Sequence, residues 1–380
     1  MSTRTIVHLD LDTFFVSVER LKNSAFNGKP LIIGGLSDRG VVASCSYETR
    51  AFGVHSAMPT KMAKYLCPDA IFLKGDMDSY SKYSNDVTEI IAANSPAFEK
   101  ASIDEHYIDI TGMDKYYGSM KWAHELIQTI EKETHLPISF GLSVNKTVSK
   151  VATGEAKPHG EREVPAGMEK LFLAPLSIRK IPMIGEKTYH LLRNMGIDKV
   201  KTLQEMPIEL MQKVFGENGI TMWKKANGID NDPVEPYSEQ KSISKENTFD
   251  KDTIDTDKLH RVIAKMVEQL AYQLRSSNKL TSCLTIKIRY SDFNTCTQQV
   301  KIPYTSADHI LIPRAKEIFD KLFAKRLLVR LIGVKFSGLV GGNQQINLFE
   351  DTTEMYNLYQ AMDKVRRRFG EDKIGRCIQL

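Results

Sequence analysis

Carboxylate side chains close two apolar, strand-like segments of this chain. One segment spans residues 7–12 and contains Asp10, and the other carries the adjacent pair Asp104 and Glu105. A charge in apolar surroundings is costly unless it is paired, and clustered carboxylate oxygens with open positions suit Mg²⁺. Two such ions can clamp the attacking and leaving oxygens of a phosphoryl displacement, so the pattern predicts nucleotidyl transfer. The spacing equally admits a nucleotide cyclase or a phosphohydrolase, and ordinary surface strands are the alternative without chemistry.

The elements that carry these groups are predicted from the same residues. Strand alternation in the first segment buries Val7 and Leu9 and turns Asp10 and Asp12 to the opposite face. Neighbouring residues of a flat strand point in opposite directions, so Asp104 and the residue after it cannot both face one ion pair. We therefore predict a turn or hairpin tip beside Asp104.

Length and composition define the class of protein. The chain has 380 residues, which predicts about two to four domains, and 42% of them are hydrophobic, enough for true cores. Its apolar runs are shorter than the ~18 residues of a transmembrane helix, and its N-terminus lacks a signal-peptide core. The cysteines are odd in number and form no C-x-x-C pair, which predicts reduced thiols in a cytosolic protein. They are Cys45, Cys67, Cys283, Cys296 and Cys377.

Positive charge is concentrated in one part of the chain. The net charge is +5, yet residues 241–340 hold 18 Lys and Arg against 10 Asp and Glu. A basic block in a chain with an acidic, metal-like site favours a polyanionic partner, most simply nucleic acid. A basic domain without such a partner is the alternative.

The basic block has a secondary-structure pattern of its own. Alternation predicts strands over 243–249, 284–290, 297–302 and 332–336, and helical spacing predicts helices after the first and third strands. This βαββαβ order is the split-βαβ arrangement, with both helices on one face of an antiparallel sheet. Lys287 and Arg289 would lie on the other face, where basic side chains can follow a phosphate backbone. An ordinary solvated strand face explains them equally well.

Four motifs in order make the chain similar to the Y-family DNA polymerases, of the polymerase IV type. HLDLDTFF at 8–15 and SIDE at 102–105 resemble the palm motifs of that family. SYETRAFGV at 46–54 resembles the fingers motif, and SVNK at 143–146 with AKPHG at 156–160 resembles the end of the palm. The resemblance covers nearly the whole chain and implies error-prone, template-directed DNA synthesis on damaged templates, without proofreading.

The resemblance also implies a fold, an α+β multidomain right-hand polymerase with a βαββαβ little-finger domain. The implied domains are the palm at 1–10 and 76–165, fingers at 11–75, a helical thumb at 166–232, a linker at 233–241, the little finger at 242–340 and a tail at 341–380. The implied partners are primer–template DNA, a deoxynucleoside triphosphate and the sliding clamp. The implied setting is a monomer in the bacterial cytoplasm, at the nucleoid and without a membrane contact.

The resemblance assigns roles to particular residues. It makes Asp10, Asp104 and Glu105 the catalytic ligands of two Mg²⁺ ions, with the backbone carbonyl of Leu11, and leaves Asp12 out of the ligand set. It also assigns one steric-gate residue, which excludes a ribose 2′-OH, and three triphosphate-binding residues. These are Phe15 for the gate and Tyr47, Arg50 and Lys157 for the triphosphate.

Phe15 has an alternative without a functional role, a core position beside Phe14. If both continued the strand, only one of the two rings would face the core. The isolated basic residues and Tyr47 would likewise be ordinary surface groups without the resemblance.

Two features of the tail are readable. A five-residue peptide resembles the segment by which bacterial polymerases bind the sliding clamp, namely Gln345, Ile346, Asn347, Leu348 and Phe349. Helical spacing then predicts an amphipathic helix that ends before Gly370 and docks on the protein itself, with a partner contact or DNA tracking as alternatives. Its predicted apolar stripe consists of Met355, Leu358, Met362, Val365 and Phe369.

Three positions depart from the family pattern. His106 stands where the family has a small residue, and by strand parity with Asp104 it is expected to crowd or pair with the metal site. Met183 replaces the usual glycine of a hairpin that approaches DNA phosphate closely. Thr13 is a mild variation beside the gate.

Two other classes of function remain open at this point. A catalytically inactive DNA-binding scaffold of the same family is one, although the intact carboxylates Asp10, Asp104 and Glu105 argue against it. Another two-metal enzyme on a palm fold, such as a nucleotide cyclase, is the second. The basic module and the clamp-like peptide argue against a cyclase.

Overall fold

The computed structural model describes residues 4–113, 118–323, 327–342, 353–370 and 373–375. The chain forms two compact units, Met1–Ser238 and Glu239–Leu380. The two units share neither sheets nor hydrophobic cores.

The strands described in the first unit form two sheets. They are β1 Ile6–Leu11, β2 Leu31–Gly34, β3 Val42–Cys45, β4 Ile71–Leu73, β5 Phe98–Lys100, β6 Glu105–Asp109, β7 Ile138–Ser143 and β8 Glu161–Glu163. The larger sheet has the order β5-β6-β1-β7-β8, and the smaller one has the order β3-β2-β4. β1 is antiparallel to both β6 and β7, so the first acidic segment lies at the centre of the larger sheet.

Helices cover both faces of the larger sheet. Met77–Asn94 and Ser119–Thr134 pack together on a core that includes Val7 and Leu9. Lys146–Ala156 packs on β1 and β7 from the other side, where its residue Thr153 meets His8. The alternation of β1 therefore determines which side chains reach each helical layer.

Shorter helices complete the first unit. Those that precede the second acidic segment are Phe14–Lys22, Tyr47–Arg50, Thr60–Leu66 and the 3₁₀ turn Ser24–Phe26. A further group has its own core and comprises Glu169–Leu173, the 3₁₀ turn Ile178–Lys180, Glu186–Asn194, Val200–Glu205, Ile208–Phe215 and Glu217–Ala226.

The second unit confirms the predicted βαββαβ order. Its strands are β9 Ser242–Thr253, β10 Lys279–Tyr290, β11 Thr295–Thr305 and β12 Val329–Gly341, and its helices between strands are Thr256–Ser276 and Asp308–Leu322. The sheet is antiparallel in the order β11-β10-β12-β9, with both helices packed on one core. The strands are longer than predicted because pairing continues past the alternating residues, in β10 through a bulge near Thr281.

The predicted C-terminal helix is present as Thr353–Phe369 and packs on its own unit. The predicted stripe is confirmed only in part, since Met362 is buried whereas Leu358 and Phe369 are 46% and 59% exposed. Tyr359 and Arg366 are buried in their place. Arg366 pairs with the buried carboxylate of Glu268, and Asp363 pairs with Arg275 at 2.6 Å, so charge pairs contribute to the rotation of the helix together with the apolar contacts.

Two sequence predictions concern the oxidation state of the cysteines and the absence of a transmembrane helix. The described cysteines Cys45, Cys67, Cys283 and Cys296 are free thiols, as predicted for these four. Within the described ranges, none of the helices combines the length and apolar character needed to cross a bilayer.

Candidate active site

A tight turn positions the second acidic pair as predicted. Ala101 N and Ser102 N both donate to the Glu105 carbonyl oxygen, at 3.0 and 3.2 Å, which joins β5 to β6. Ser102 Oγ donates to Asp104 Oδ1 at 2.6 Å and accepts from Glu105 N at 3.0 Å. Asp104 therefore lies in the turn and Glu105 opens the strand, which lets their side chains leave the alternation of a flat strand.

The turn meets the end of β1. Asp10 and Glu105 are directly opposite each other on neighbouring strands. The Asp104 carbonyl accepts a hydrogen bond from Leu11 N at 3.0 Å. The structure thus brings the three predicted metal ligands, and the backbone of Leu11, together where β1 ends and β6 begins.

Two lysines from the neighbouring helical segment face these carboxylates. Lys157 Nζ contacts Asp10 Oδ1, and Lys150 Nζ lies 2.5 and 2.6 Å from the two Glu105 oxygens. Among the described residues, no three His, Cys, Asp or Glu side chains are gathered in the geometry of a metal site. Ammonium groups therefore compensate carboxylate charge in this arrangement.

The electrostatics of Asp10 fit a site for an additional cation. Burial raises the pKa of its carboxyl to about 7, Lys157 opposes that shift, and the charges of Asp104 and Glu105 add to it. Ionising Asp10 is unfavourable there chiefly because the carboxylate is buried, and the neighbouring negative charges add to the cost. The donors are all hard carboxylate oxygens, so the site matches a divalent ion such as Mg²⁺.

Asp12 has a different environment, consistent with leaving it out of the ligand set. Its side chain is 2% exposed, and Oδ2 accepts hydrogen bonds from Ser139 Oγ at 2.7 Å and His159 N at 2.6 Å. Its Oδ1 accepts from the Tyr47 hydroxyl at 3.3 Å and lies 3.7 Å from Lys157 Nζ.

Phe14 and Phe15 begin a helix, so the assumption that they continue the strand is wrong. Thr13 has φ 44°, in the left-handed region, so the extended strand does not continue past it. The helix Phe14–Lys22 begins at the next residue. Phe14 is buried and Phe15 is half-buried, stacked on Tyr80 with ring centroids 4.2 Å apart.

The three residues predicted to bind triphosphate contact one another or share a contact with Asp12. Tyr47 and Arg50 share the one-turn helix Tyr47–Arg50, and the Arg50 guanidinium lies 4.8 Å from the centre of the Tyr47 ring. Tyr47 and Lys157 both contact Asp12. Burial and the charge of Asp12 raise the pKa of Tyr47, so its hydroxyl keeps its proton and donates.

His106 does not reach the metal site, contrary to the prediction. It lies on β6 opposite Leu9, is fully buried, and its Nε2 is 3.0 Å from Thr88 Oγ1 on the helix Met77–Asn94. The parity argument fails because Asp104 belongs to the turn rather than to the strand. Burial lowers the pKa of His106 to about 3, so the ring is neutral.

Sequence reasoning missed Lys150 and His8. Lys150 is seven residues before Lys157, a spacing that would put both on one side of a continuous helix, and that spacing is the signal that was available. In the structure the helix ends at Ala156, so Lys157 follows it. His8 is buried, bonds Thr153 through Nδ1 at 2.8 Å, and holds Nε2 3.9 Å from Glu105 Oε1. Burial lowers the pKa of His8, so it adds no positive charge.

The site opens into a cleft of about 630 Å³ within the first unit. Its lining contains Asp10, Glu105 and the two lysines on one side and the hairpin residues Arg179 to Gly185 on the other. Met183 in that hairpin has φ 80°, a left-handed conformation that glycine adopts without strain.

Met183→Gly is expected to raise the free energy of unfolding by about 1 kcal/mol, because a side chain in the left-handed region is strained. Urea unfolding of the full chain measures it. Met168 is the matched control, since it is 47% exposed against 53% for Met183 but has φ −99°. Met168→Gly should lower stability, and equal shifts in the two variants would contradict the strain at Met183.

Lys287 and Arg289 lie on the face of the second sheet that is opposite the helical core. Lys287 Nζ pairs with Glu246 at 2.5 Å, and Arg289 Nε donates to Thr295 Oγ1 at 2.9 Å. The strand register places Lys301 and Lys335 on the same face, two basic residues that the sequence reasoning did not select. The predicted clamp peptide, 345–349, lies outside the described residues.

Comparisons with known proteins agree with the motifs. The impB/mucB/samB family matches residues 9–154, and the impB/mucB/samB family C-terminal domain matches residues 240–348. DNA polymerase IV of Dehalococcoides mccartyi strain BAV1 is 38% identical, with 100% of this chain and 99% of that protein aligned.

Solved structures are similar over most of the chain. A Y-family DNA polymerase chimera of Dbh and Dpo4 has a TM-score of 0.81 at 26% identity, covering 89% of this chain and 100% of its own. An insertion ternary complex of Dbh DNA polymerase has a TM-score of 0.64 at 25% identity, with the same coverage. Neither the inactive scaffold nor the cyclase is favoured by these relatives. The chain therefore belongs to the impB/mucB/samB family of Y-family DNA polymerases, in the DNA polymerase IV group, whose activity is DNA-directed translesion DNA synthesis.

Proposed function

We propose that this chain adds deoxynucleotides to a primer 3′-OH with two Mg²⁺ ions held by Asp10, Asp104, Glu105 and the carbonyl of Leu11. The observation that carries the proposal is the convergence of these groups at the end of β1, where Asp10 lies opposite Glu105 and Leu11 N donates to the Asp104 carbonyl. When bound, the ions would supply positive charge to the attacking 3′-oxygen and to the leaving pyrophosphate.

The chain's own residues then bind and orient the nucleotide. Lys157, released from Asp10, would hold a phosphate oxygen as a point charge, and Arg50 would offer a planar fork of donors. Tyr47 would donate its hydroxyl. Phe15, held against Tyr80, would lie beneath the sugar and exclude a ribose 2′-OH.

The second unit would hold the DNA duplex. Lys287 and Arg289 are proposed to contact the phosphate backbone from the helix-free face, supported by Lys301 and Lys335 on the same face and by the basic excess of residues 241–340. The ternary complex of Dbh supports substrates of primer–template DNA and a nucleoside triphosphate. A monomer in the cytoplasm, near the nucleoid, remains our prediction.

The domain assignment is likewise proposed. The five-stranded sheet supports a palm at 1–10 and 76–165, the three-stranded sheet supports fingers at 11–75, and the short helices support a thumb at 166–232. Residues 233–241 would be the linker, 242–340 the little finger and 341–380 the tail.

Primer extension by the full chain tests the proposed function. A labelled primer on intact and damaged templates, with Mg²⁺ and four deoxynucleotides, should lengthen according to the template and should not shorten. DNA binding without extension would support the inactive scaffold instead. Release of pyrophosphate with a cyclic nucleotide, without DNA, would support the cyclase.

Deleting residues 345–349 is expected to spare distributive synthesis and to remove stimulation by a bacterial sliding clamp, about 10²-fold at limiting enzyme. The reason is that a tether raises the local concentration of the enzyme at the primer end. Primer extension with and without loaded clamp measures it. Leu358→Ala, which removes an exposed apolar side chain elsewhere in the tail, is the control. Undiminished stimulation after the deletion would move the contact elsewhere.

A further inference from the structure

We propose that Asp12 is a positioning residue that fixes the triphosphate-binding groups, Tyr47 and Lys157, in one arrangement. The inference rests on the proposed function and goes beyond it, because Asp12 is neither a metal ligand nor a nucleotide-binding residue there. It acts through buried hydrogen bonds that join parts of the chain distant in sequence.

Three separate elements converge on this one carboxylate. The first is β7, through Ser139 Oγ at 2.7 Å, and the second is the segment after the helix Lys146–Ala156, through His159 N at 2.6 Å. The third is the helix Tyr47–Arg50, through the Tyr47 hydroxyl at 3.3 Å. Asp12 itself closes β1, since its N donates to Pro137 O at 2.8 Å.

These contacts explain why Asp12 is unsuited to bind metal. Both lone-pair regions of Oδ2 are engaged by donors, and Oδ1 faces the Tyr47 hydroxyl and the Lys157 ammonium. A carboxylate that is 2% exposed and already satisfied by fixed donors gains little from a further cation. Its charge instead holds a lysine and a phenol beside the carboxylate site.

The same network extends to the loop that carries Lys157. Ser139 Oγ donates to Asp12 and also accepts from Gly160 N at 3.3 Å. His159 N therefore bonds Asp12 directly, and Gly160 N is connected to Asp12 through the Ser139 hydroxyl on β7. Losing either hydrogen bond would shift the backbone of the segment that carries Lys157.

Asp12→Asn changes this network in a defined way. The amide oxygen can take the place of Oδ2 and keep the hydrogen bonds from Ser139 Oγ and His159 N. The amide NH₂ then faces the Tyr47 hydroxyl, which has to accept a hydrogen bond instead of donating one. The variant therefore reverses the hydrogen bond to Tyr47 and removes the negative charge beside Lys157.

The test is single-nucleotide insertion by the full chain, with KM for the deoxynucleotide and kcat measured separately. Asp12→Asn is expected to raise KM about tenfold while kcat changes less than about threefold. Primer–template affinity should be unchanged. Ser139→Ala, which removes one donor and keeps the charge, should raise KM by a smaller factor.

Asp109→Asn is the matched control. Asp109 lies at the far end of β6 and accepts from Thr111 N at 2.9 Å and Thr111 Oγ1 at 2.5 Å, so the same change is made in a carboxylate that also accepts two hydrogen bonds but is partly exposed and lies away from the site. Its KM should equal that of the unmodified chain. If Asp12→Asn does not fold, the KM of Ser139→Ala alone tests the positioning role of Asp12.

Unchanged KM in the folded variants, or a loss confined to kcat, would overturn the positioning role of Asp12. Failure of the unmodified chain to extend a primer would instead contradict the proposed function. The two failures are therefore distinguishable.

Discussion

Asp104→Ala is expected to lower primer extension by about 10³-fold or more while the protein still binds primer–template DNA. Asp104 is the most direct test of the metal site because Asp10 and Glu105 each pair with a lysine. Replacing either of those would also release an ammonium group into the site. Asp104 accepts instead from the Ser102 hydroxyl within its own turn.

The fold should tolerate this change. The contact between the turn and β1 uses the Asp104 carbonyl, which accepts from Leu11 N at 3.0 Å and is kept in alanine. DNA binding should be equal or slightly tighter, because a negative charge is removed from a site that receives a polyanion. Extension rate and DNA affinity, measured on one preparation, separate a chemical defect from a folding defect.

Asp109→Ala is the control for Asp104→Ala, since it removes a carboxylate from the other end of β6. It should extend primers at the rate of the unmodified chain. Synthesis retained in Asp104→Ala would reject the metal role of this residue. Loss of DNA binding in step with synthesis would show that the turn, rather than the charge, had been lost.

Local patterns predicted the elements that carry the site. Alternation in residues 7–12 placed Val7 and Leu9 in the core, and the adjacency of Asp104 and Glu105 required a turn. The βαββαβ order of the second unit was also readable, because each element has a clear period and is bounded by turn residues.

Contacts between residues far apart in sequence were not predictable in this way. The bond from Ser139 to Asp12 joins positions 127 residues apart, and no local period encodes it. His106 was misplaced because its direction depended on where the strand begins. The rotation of the C-terminal helix depended in part on a buried pair of Arg366 with Glu268, which apolar spacing does not register.

Phe15→Ala is expected to raise the efficiency of ribonucleotide insertion relative to deoxynucleotide insertion by about 10²-fold. The Phe15 ring is stacked at 4.2 Å and 11° on Tyr80, whose hydroxyl donates to Glu19 Oε1 at 2.8 Å. Tyr80 is fully buried, so the ring of Phe15 rests on a support that cannot move aside easily. A rigid ring beneath the sugar rejects a 2′-OH by collision, and alanine removes the colliding atoms.

Phe26→Ala controls for the loss of packing, because Phe26 is half-buried against the same core and lies outside the proposed site. Both variants should lose some stability, and only Phe15→Ala should change sugar selection. The decisive quantity is kcat/KM for the ribonucleotide itself, which a gate predicts will rise in absolute terms. A fall in deoxynucleotide efficiency alone would mean that the pocket had loosened without removing a barrier, and would take the gate role away from Phe15.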